Sequence, residues 1–447
     1  MGPTERPVIL TGRTSVLAPG GKKLSKRTAR GATALVTAGA VVALAMGLTA
    51  CDSGEKKDGG KSAAPASSQG SGQDGPAGGE AEKDKKPEEK WDGKVKVLGD
   101  GSTSYTGPQP DQPKPEKLKP GEKPPQFVVF SWDGALEGDD HLFSHFRKVA
   151  KENNAKMTFF LTSMYLLPKS KATLYKPPQH KPGDAAISFA TDPHIKDTLV
   201  QLRGAWLDGN EIGTHFNGHF CGGKGGGDWS VAEWKSEIDQ SYSFVENWKT
   251  NTGLKSLPPL PFDFKKELVG GRAPCLEGQK NMLAAAQQYG WRYDASSPGD
   301  FQIWPSKIND IWNFPLQLMP YPKSEKQVLS MDFNFLYNQS GDNTKGDPAK
   351  YAEWRKLTRD GYLNGFERVY NGSRAPMFVG NHFEDWNGGI YMKAVEDVVK
   401  SVCKREGVRC VSFKQLADWL DAQDPKVLAK FRGLDPAQSP DWSTLVK

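Results

Sequence analysis

Five side chains in this 447-residue chain have the types and spacing for hydrolytic chemistry: Asp133, His215, His219, Arg272 and His382. His215 and His219 stand four apart after a strand-like run; on a helical turn both imidazoles would face one side, ready for a zinc-like ion. Zinc held by two histidines and one carboxylate keeps an open position for water, whose pKa falls toward about 7. Asp133 is a carboxylate at the end of a strand-like run, and Arg272 and His382 also follow such runs. The expectation is that all five converge on one metal-assisted hydrolytic site, with one carboxylate covering two jobs.

The elements that must position them begin with residues 127–135, FVVFSWDGA. A short apolar run, β-branched or aromatic, followed by Asp-Gly, predicts a buried strand entering a turn that holds Asp133 out. Next comes an amphipathic helix over 139–153, whose stripe is Leu142, Phe143, Phe146, Val149 and Ala150. His141 and His145 flank that stripe as a solvated pair. Strands are predicted at 158–161, 211–214, 268–271, 292–294, 311–314, 328–332, 377–380 and 409–412. Helices are predicted at 196–207, from Ser230 with a capping box to Glu233, at 281–289, at 392–406, and from Ser412 capped with Gln415. Strands and helices alternating over about 300 residues predict an α/β fold, a distorted (β/α) barrel of seven or eight strands, with chemistry after the strands. A doubly wound open sheet is the alternative, but residues 222–227 lack the phosphate-loop and dinucleotide spacings.

The first third of the chain is not domain-like. Lys22, Lys23, Lys26, Arg27 and Arg30 precede the apolar run 32–48, a pattern that favours a secretory signal over a spanning helix. The run ends in Leu48-Thr49-Ala50-Cys51, which resembles a bacterial lipobox. That resemblance implies cleavage before Cys51, a lipid on its thiol, and export to the outer face of the cytoplasmic membrane. Residues 51–125 are rich in Gly, Ser, Lys and Pro and read as a disordered tether, with a small hairpin or edge strand at 91–105. Roughly 70 such residues reach about 50 Å. The barrel domain follows over 126–424, and 425–447 read as a C-terminal tail. The net charge of +6 is mild and owes much to lysines outside the barrel domain, so no nucleic-acid footprint is expected. Nearly all of the 13 tryptophans follow residue 130; Trp304, Trp312 and Trp386 are candidates for a sugar groove or for the core. With Cys51 set aside, Cys221, Cys275, Cys403 and Cys410 permit three disulfide connectivities. The predicted bridges are Cys403–Cys410, from a helix end to the next strand, and Cys221–Cys275, between two site loops.

Taken in order, these motifs resemble the polysaccharide deacetylases of the NodB-homology type, particularly the chitin-deacetylase-like branch, over residues 127–422. Asp133 with its strand is similar to the first motif, His215 and His219 to the second, and Gly271-Arg272-Ala273-Pro274 to the third. Tyr293-Asp294-Ala295-Ser296 and Trp304-Pro305 resemble the segment that follows, and Val379-Gly380-Asn381-His382 the last motif. The resemblance implies metal-dependent removal of N- or O-acetyl groups from a polysaccharide. It implies that His215 and His219 bind a divalent metal such as zinc, that Arg272 orients a carboxylate base, and that His382 protonates the leaving group. It also implies that backbone N–H near Cys275 helps to hold the oxyanion.

The first motif departs from the family, which has two adjacent aspartates where this chain has Asp133-Gly134. In one register Asp133 is the base and Gly134 stands where the metal ligand belongs. In the other, Asp133 is the ligand and Trp132 replaces the base. Asp139 and Asp140 are candidate substitutes for the missing carboxylate. Asn381 and Cys275 also replace an apolar and an aromatic residue. Asp294 is a candidate support for the site or a turn cap, and Glu384 and Asp385 flank His382. Two functions therefore remain open: an acetyl-removing enzyme, or a glycan-binding lipoprotein that keeps the fold without the reaction.

Overall fold

The computed structural model describes residues 91–447. Cys51, the proposed signal peptide and the first part of the tether lie outside the described residues. The organising strand is β1 (Gln126–Asp133), buried at all eight positions. A strand buried on both faces must be covered by helices on each side, the arrangement that a parallel α/β sheet provides. In chain order the other strands of its sheet are β2 (Thr158–Leu161), β3 (Glu211–Thr214), β4 (Gly270–Gly271), β5 (Tyr293–Asp294), β6 (Ser306–Ile308), β7 (Ile311–Asn313), β8 (Met377–His382) and β9 (Val408–Cys410). The principal helices are α1 (Leu142–Glu152), α2 (Asp192–Leu207), α3 (Val231–Glu246), α4 (Gln279–Ala286), α5 (Asp332–Ser340), α6 (Tyr351–Tyr370), α7 (Trp386–Val402), α8 (Phe413–Asp421) and α9 (Pro425–Phe431).

The strand order is β8-β1-β2-β3-β4-β5-β7-β6, with β9 also paired to β1. Every pairing in this sheet is parallel except the β6–β7 hairpin. The sheet is a curled half-barrel, the distorted (β/α) barrel expected from the alternation of periods. Its strands place β8 beside β1, so the first and last reactive segments of the sequence become neighbours. Trp132, on the face of β1 opposite to Asp133, packs against Phe146, Phe159 and Phe383. Each such fully buried aromatic contributes about 1.5–3 kcal/mol, which fixes the strand's register against sliding.

Residues on either side of the barrel segment 126–424 also pack against it. Within the expected tether, Lys96–Leu98 and Thr103–Tyr105 form an antiparallel hairpin, and Ser104 N–H donates to Leu260 O at 2.9 Å. Residues 108–125 are docked as well: Gln109 Nε2 donates to Asn210 O, and Leu118 N–H to Gln423 Oε1. Their anchoring runs through backbone and glutamine amides, which leave no apolar period to detect. The C-terminal residues are also integrated, since Val427, Leu428, Phe431 and Val446 are buried in the cluster that holds Trp304 and Trp419. Sequence periodicity does not reveal the 20-residue α6, because Gly361, Gly365 and several charged residues interrupt its apolar stripe. Among the described residues, no helix is long and apolar enough to cross a membrane.

Candidate active site

Asp133, His215, His219 and His382 line one cleft of about 840 Å³ at the C-terminal ends of the strands. Asp133 and His382 are direct partners in the β1–β8 register. Arg272 lies beneath them, fully buried, and its Nη1 donates to Asp133 Oδ1 at 2.8 Å and to Ser131 Oγ at 3.0 Å. Its Nε donates to Ala295 O, and its Cζ lies 4.9 Å from the centre of the Phe160 ring. The guanidinium therefore holds one carboxylate oxygen in place through a charge-assisted bond shielded from water.

The two histidines before the α3 segment are set by backbone. His215 follows β3, and its Nδ1–H donates to Arg272 O at 2.8 Å. That bond fixes the tautomer with the lone pair on Nε2, the form that binds a metal ion. The close approach that allows it depends on Gly271, where a Cβ would lie 2.5 Å from Thr214 O. The rings of His215 and His219 are 5.1 Å apart. They do not sit on a helical turn, however. Phe216 and His219 both take positive φ, near 58° and 57°, and Phe216 O accepts from Ser163 N–H at 2.8 Å. An irregular loop, not helix geometry, brings the imidazoles together.

A buried network holds that loop from behind. Glu237 accepts from Tyr175 O–H at 2.9 Å and from Asn217 Nδ2 at 2.8 Å, while Tyr175 Oη accepts from Gly218 N–H. Burial pushes the Glu237 carboxyl up to about 7, against the lowering influence of Asn217 and Tyr175. The folded state thus binds more protons than the unfolded chain between the ordinary glutamate value of 4.5 and about 7. Its stabilisation is complete below that window and is lost as pH rises through it. Burial shifts Glu211 and Asp294 in the same direction. Unfolding in urea should therefore show a loss on the order of 3 kcal/mol between pH 5 and 8. Glu237→Gln should flatten much of that slope; an unchanged slope would assign it to other groups.

His382 has a partner that the sequence patterns did not reveal. Asp332, at the start of α5 and 1% exposed, accepts from His382 N–H at 2.7 Å with Oδ2 and meets His382 Nδ1 at 2.8 Å with Oδ1. The ring is thereby oriented with Nε2 as the nitrogen opposite its anchor. The sequence predicts a strand over 328–332; the strand is Gln327–Leu329, outside the main sheet. The only signal available was an acid opening an amphipathic segment.

Other candidates separate. Glu384 lines the cleft, whereas Asp385, Asp139, Asp140 and Cys275 do not. Asp139 is exposed and pairs with His194 at 2.9 Å. His141 and His145 each have their own acid, Glu137 and Glu396. Asp294 caps its own turn by accepting from Ser296 N–H, and it also holds Gln279. Trp386 lines the cleft, 5.3 Å from the His382 ring. Trp304 and Trp312 belong to the core, with their indole N–H groups donating to Ser373 O and Asp421.

Both expected disulfides are present, Cys221–Cys275 and Cys403–Cys410. The first ties the loop after His219 to the segment after Arg272. His219, Cys221 and Cys275 have ligand atoms within 4.8 Å of one another, but sulfurs bonded to each other offer no thiolate to a metal. With its ends separated by 54 positions in the sequence, the first bridge should stabilise by about 4 kcal/mol. Chemical denaturation of a Cys221→Ala/Cys275→Ala variant should show a loss of that size; no loss would mean the loops are held by packing alone.

No protein-family model and no curated protein matches the chain. Solved structures do match it, and they include polysaccharide deacetylases. A Mycobacterium smegmatis protein described as a polysaccharide deacetylase is 16% identical with a TM-score of 0.41, over 69% of this chain and 95% of that one. The chitin deacetylase of the fungal pathogen Colletotrichum lindemuthianum is 13% identical with a TM-score of 0.34, over 66% and 91%. A CE4 family pseudoenzyme from Bacillus anthracis is 10% identical with a TM-score of 0.34, over 70% and 71%.

Proposed function

We propose that this chain is a hydrolase that removes acetyl groups from a cell-wall or extracellular polysaccharide. The observation that carries this is the paired placement of Asp133 and His382 on adjacent strands. Each is gripped by a buried partner, Arg272 and Asp332 respectively, and both open into one cleft. Asp133 takes the proton of the water that attacks the acetyl carbonyl, and Arg272 keeps its carboxylate oriented for that transfer. His382 gives a proton to the departing amine or alcohol, with Asp332 steadying the imidazolium that holds it. The products are acetate and the free amino or hydroxyl group of the sugar. Trp386, beside His382, presents an aromatic face suited to a sugar ring.

The donor set at His215 and His219 suits a zinc-like divalent ion, because the Arg272 carbonyl sets His215 in its ligand tautomer and the second ring lies close by. When bound, such an ion supplies Lewis acidity at the carbonyl oxygen and to the water. We assign Asp133 as the base, its Oδ1 held by Arg272. That Gly134 stands where a second aspartate is expected favours a second possibility, a glycan-binding protein without the reaction. We place the domain outside the cytoplasmic membrane, held there by a lipid on Cys51.

The test combines acetate release from acetylated glycans with metal stoichiometry by elemental mass spectrometry. About one zinc-like ion per chain, lost in His215→Ala, together with acetate release, supports the enzyme. Glycan binding without acetate release under any metal supply would replace it with the binding protein.

A further inference from the structure

We infer that Asn387 is a positioning residue for the glycan. It holds the loop 341–347 as one wall of the cleft and so sets affinity for sugar chains longer than one unit. This rests on the reading of the cleft as a glycan site, whether or not the reaction proceeds there. The loop joins α5 to α6, and its exposed residues Asp342 and Thr344 line the cleft together with Trp386.

Asn387 follows Trp386 directly and is completely buried. Its backbone N–H donates to Thr344 O at 2.7 Å, and its Oδ1 accepts from Gly346 N–H at 2.7 Å. Its Nδ2 donates to Ser340 Oγ at 3.2 Å and to Tyr391 Oη at 3.1 Å. One residue thus ties the end of α5, the loop and the body of α7 together. Ser340 Oγ in turn donates to Asn343 O at 2.9 Å, and Tyr351 Oη to Gly346 O at 3.1 Å.

The backbone supplies a second, independent observation. Asn387, Gly388 and Gly389 take φ near 52°, 73° and 71°, three left-handed residues in succession. That conformation costs an ordinary residue roughly 1–2 kcal/mol, and asparagine bears it better than most. Such strain persists only where the surroundings enforce it. Here it turns the chain immediately behind Trp386, whose ring lies 5.8 Å from that of Phe333 and 5.3 Å from that of His382. The same residue therefore fixes both the aromatic platform and the loop beside it.

Trp386 adjoins His382, the group assigned to the sugar's leaving atom. The wall beyond Trp386 therefore meets the sugar chain and not the acetyl group. Asp342 and Thr344 bring a carboxylate and a hydroxyl, both suited to sugar hydroxyls. At about 840 Å³ the cleft lies in the upper part of the range for drug-sized ligands, with room for more than one ring.

The experiment measures calorimetric binding by the full-length chain of N-acetylglucosamine and acetylated xylose, each as the monomer and as longer oligomers. Where acetate is released, kcat and KM are measured as well. Asn387→Gly keeps the left-handed backbone and removes the side-chain bonds. It should weaken oligomer binding on the order of tenfold and leave the monomers within about twofold. KM for the oligomers should rise by the same factor with little change in kcat. Asp342→Ala/Thr344→Ala removes the cleft-lining side chains of the loop without touching Asn387, and it should weaken the oligomers comparably. Combined with Asn387→Gly it should add little, because both act through one loop. Native oligomer affinity in folded Asn387→Gly, or equal losses for monomer and oligomer, would overturn the inference. Additive losses in the combined variant would overturn it too, since Asn387 would then act elsewhere. A native chain that binds neither sugar series would overturn the glycan reading itself, and the inference with it.

Discussion

Replacing Asp133 by asparagine is expected to lower acetate release by about 10²–10⁴-fold, the range for loss of a general base. An amide cannot take the proton of the attacking water. The same substitution strips the buried Arg272 of its counter-charge, because Asp133 Oδ1 and Arg272 Nη1 are 2.8 Å apart with side chains 3% and 0% exposed. Breaking one partner out of such a pair costs about 3–5 kcal/mol. Asparagine keeps an oxygen that can accept from Nη1, so the loss belongs at the lower end. Activity and stability can be separated with Asp133→Asn/Arg272→Met, which removes both charges at once. That double variant should regain most of the stability and none of the activity, measured well below its Tm. Folded Asp133→Asn releasing acetate at the native rate would remove Asp133 from the mechanism.

His382→Ala should cost a similar factor, about 10²–10⁴, and the size should depend on the leaving group. Amine departure from an N-acetyl sugar requires a proton, whereas an aryl acetate expels a phenolate that needs none. The loss should therefore be large for the amide and small for the aryl ester; equal losses would mean that His382 does not act as the acid. Asp332→Asn tests the anchor. Asp332 meets both the ring Nδ1 and the backbone N–H of His382 and is not a lining residue of the cleft. It should lower kcat with little change in KM, because orientation of the acid is lost while sugar contacts remain.

Local patterns were enough for much of this chain because strands and helices bury their faces at fixed periods. The apolar run before Asp133, the spacing of His215 and His219, and the capping boxes at Ser230 and Ser412 are all visible within a few residues. The disulfide partners are legible from the helix-to-strand step between Cys403 and Cys410 and from the two site loops that carry Cys221 and Cys275. Local patterns failed where the anchor was distant or irregular. Fifty residues separate Asp332 from His382, and their bond forms only because β8 ends beside the start of α5. Residues 91–125 looked like tether because backbone and amide groups, not an apolar stripe, dock them.

The sequence by itself determined which side chains stand at strand ends and that their chemistry suits hydrolysis, since those features arise from short-range periodicity. Only the tertiary structure decided which charge grips which: Arg272 on Asp133, Asp332 on His382, and the loop between His215 and His219 held by Ser163 and Glu237. These pairings depend on strand order and on the meeting of residues far apart in the chain, which no local spacing encodes.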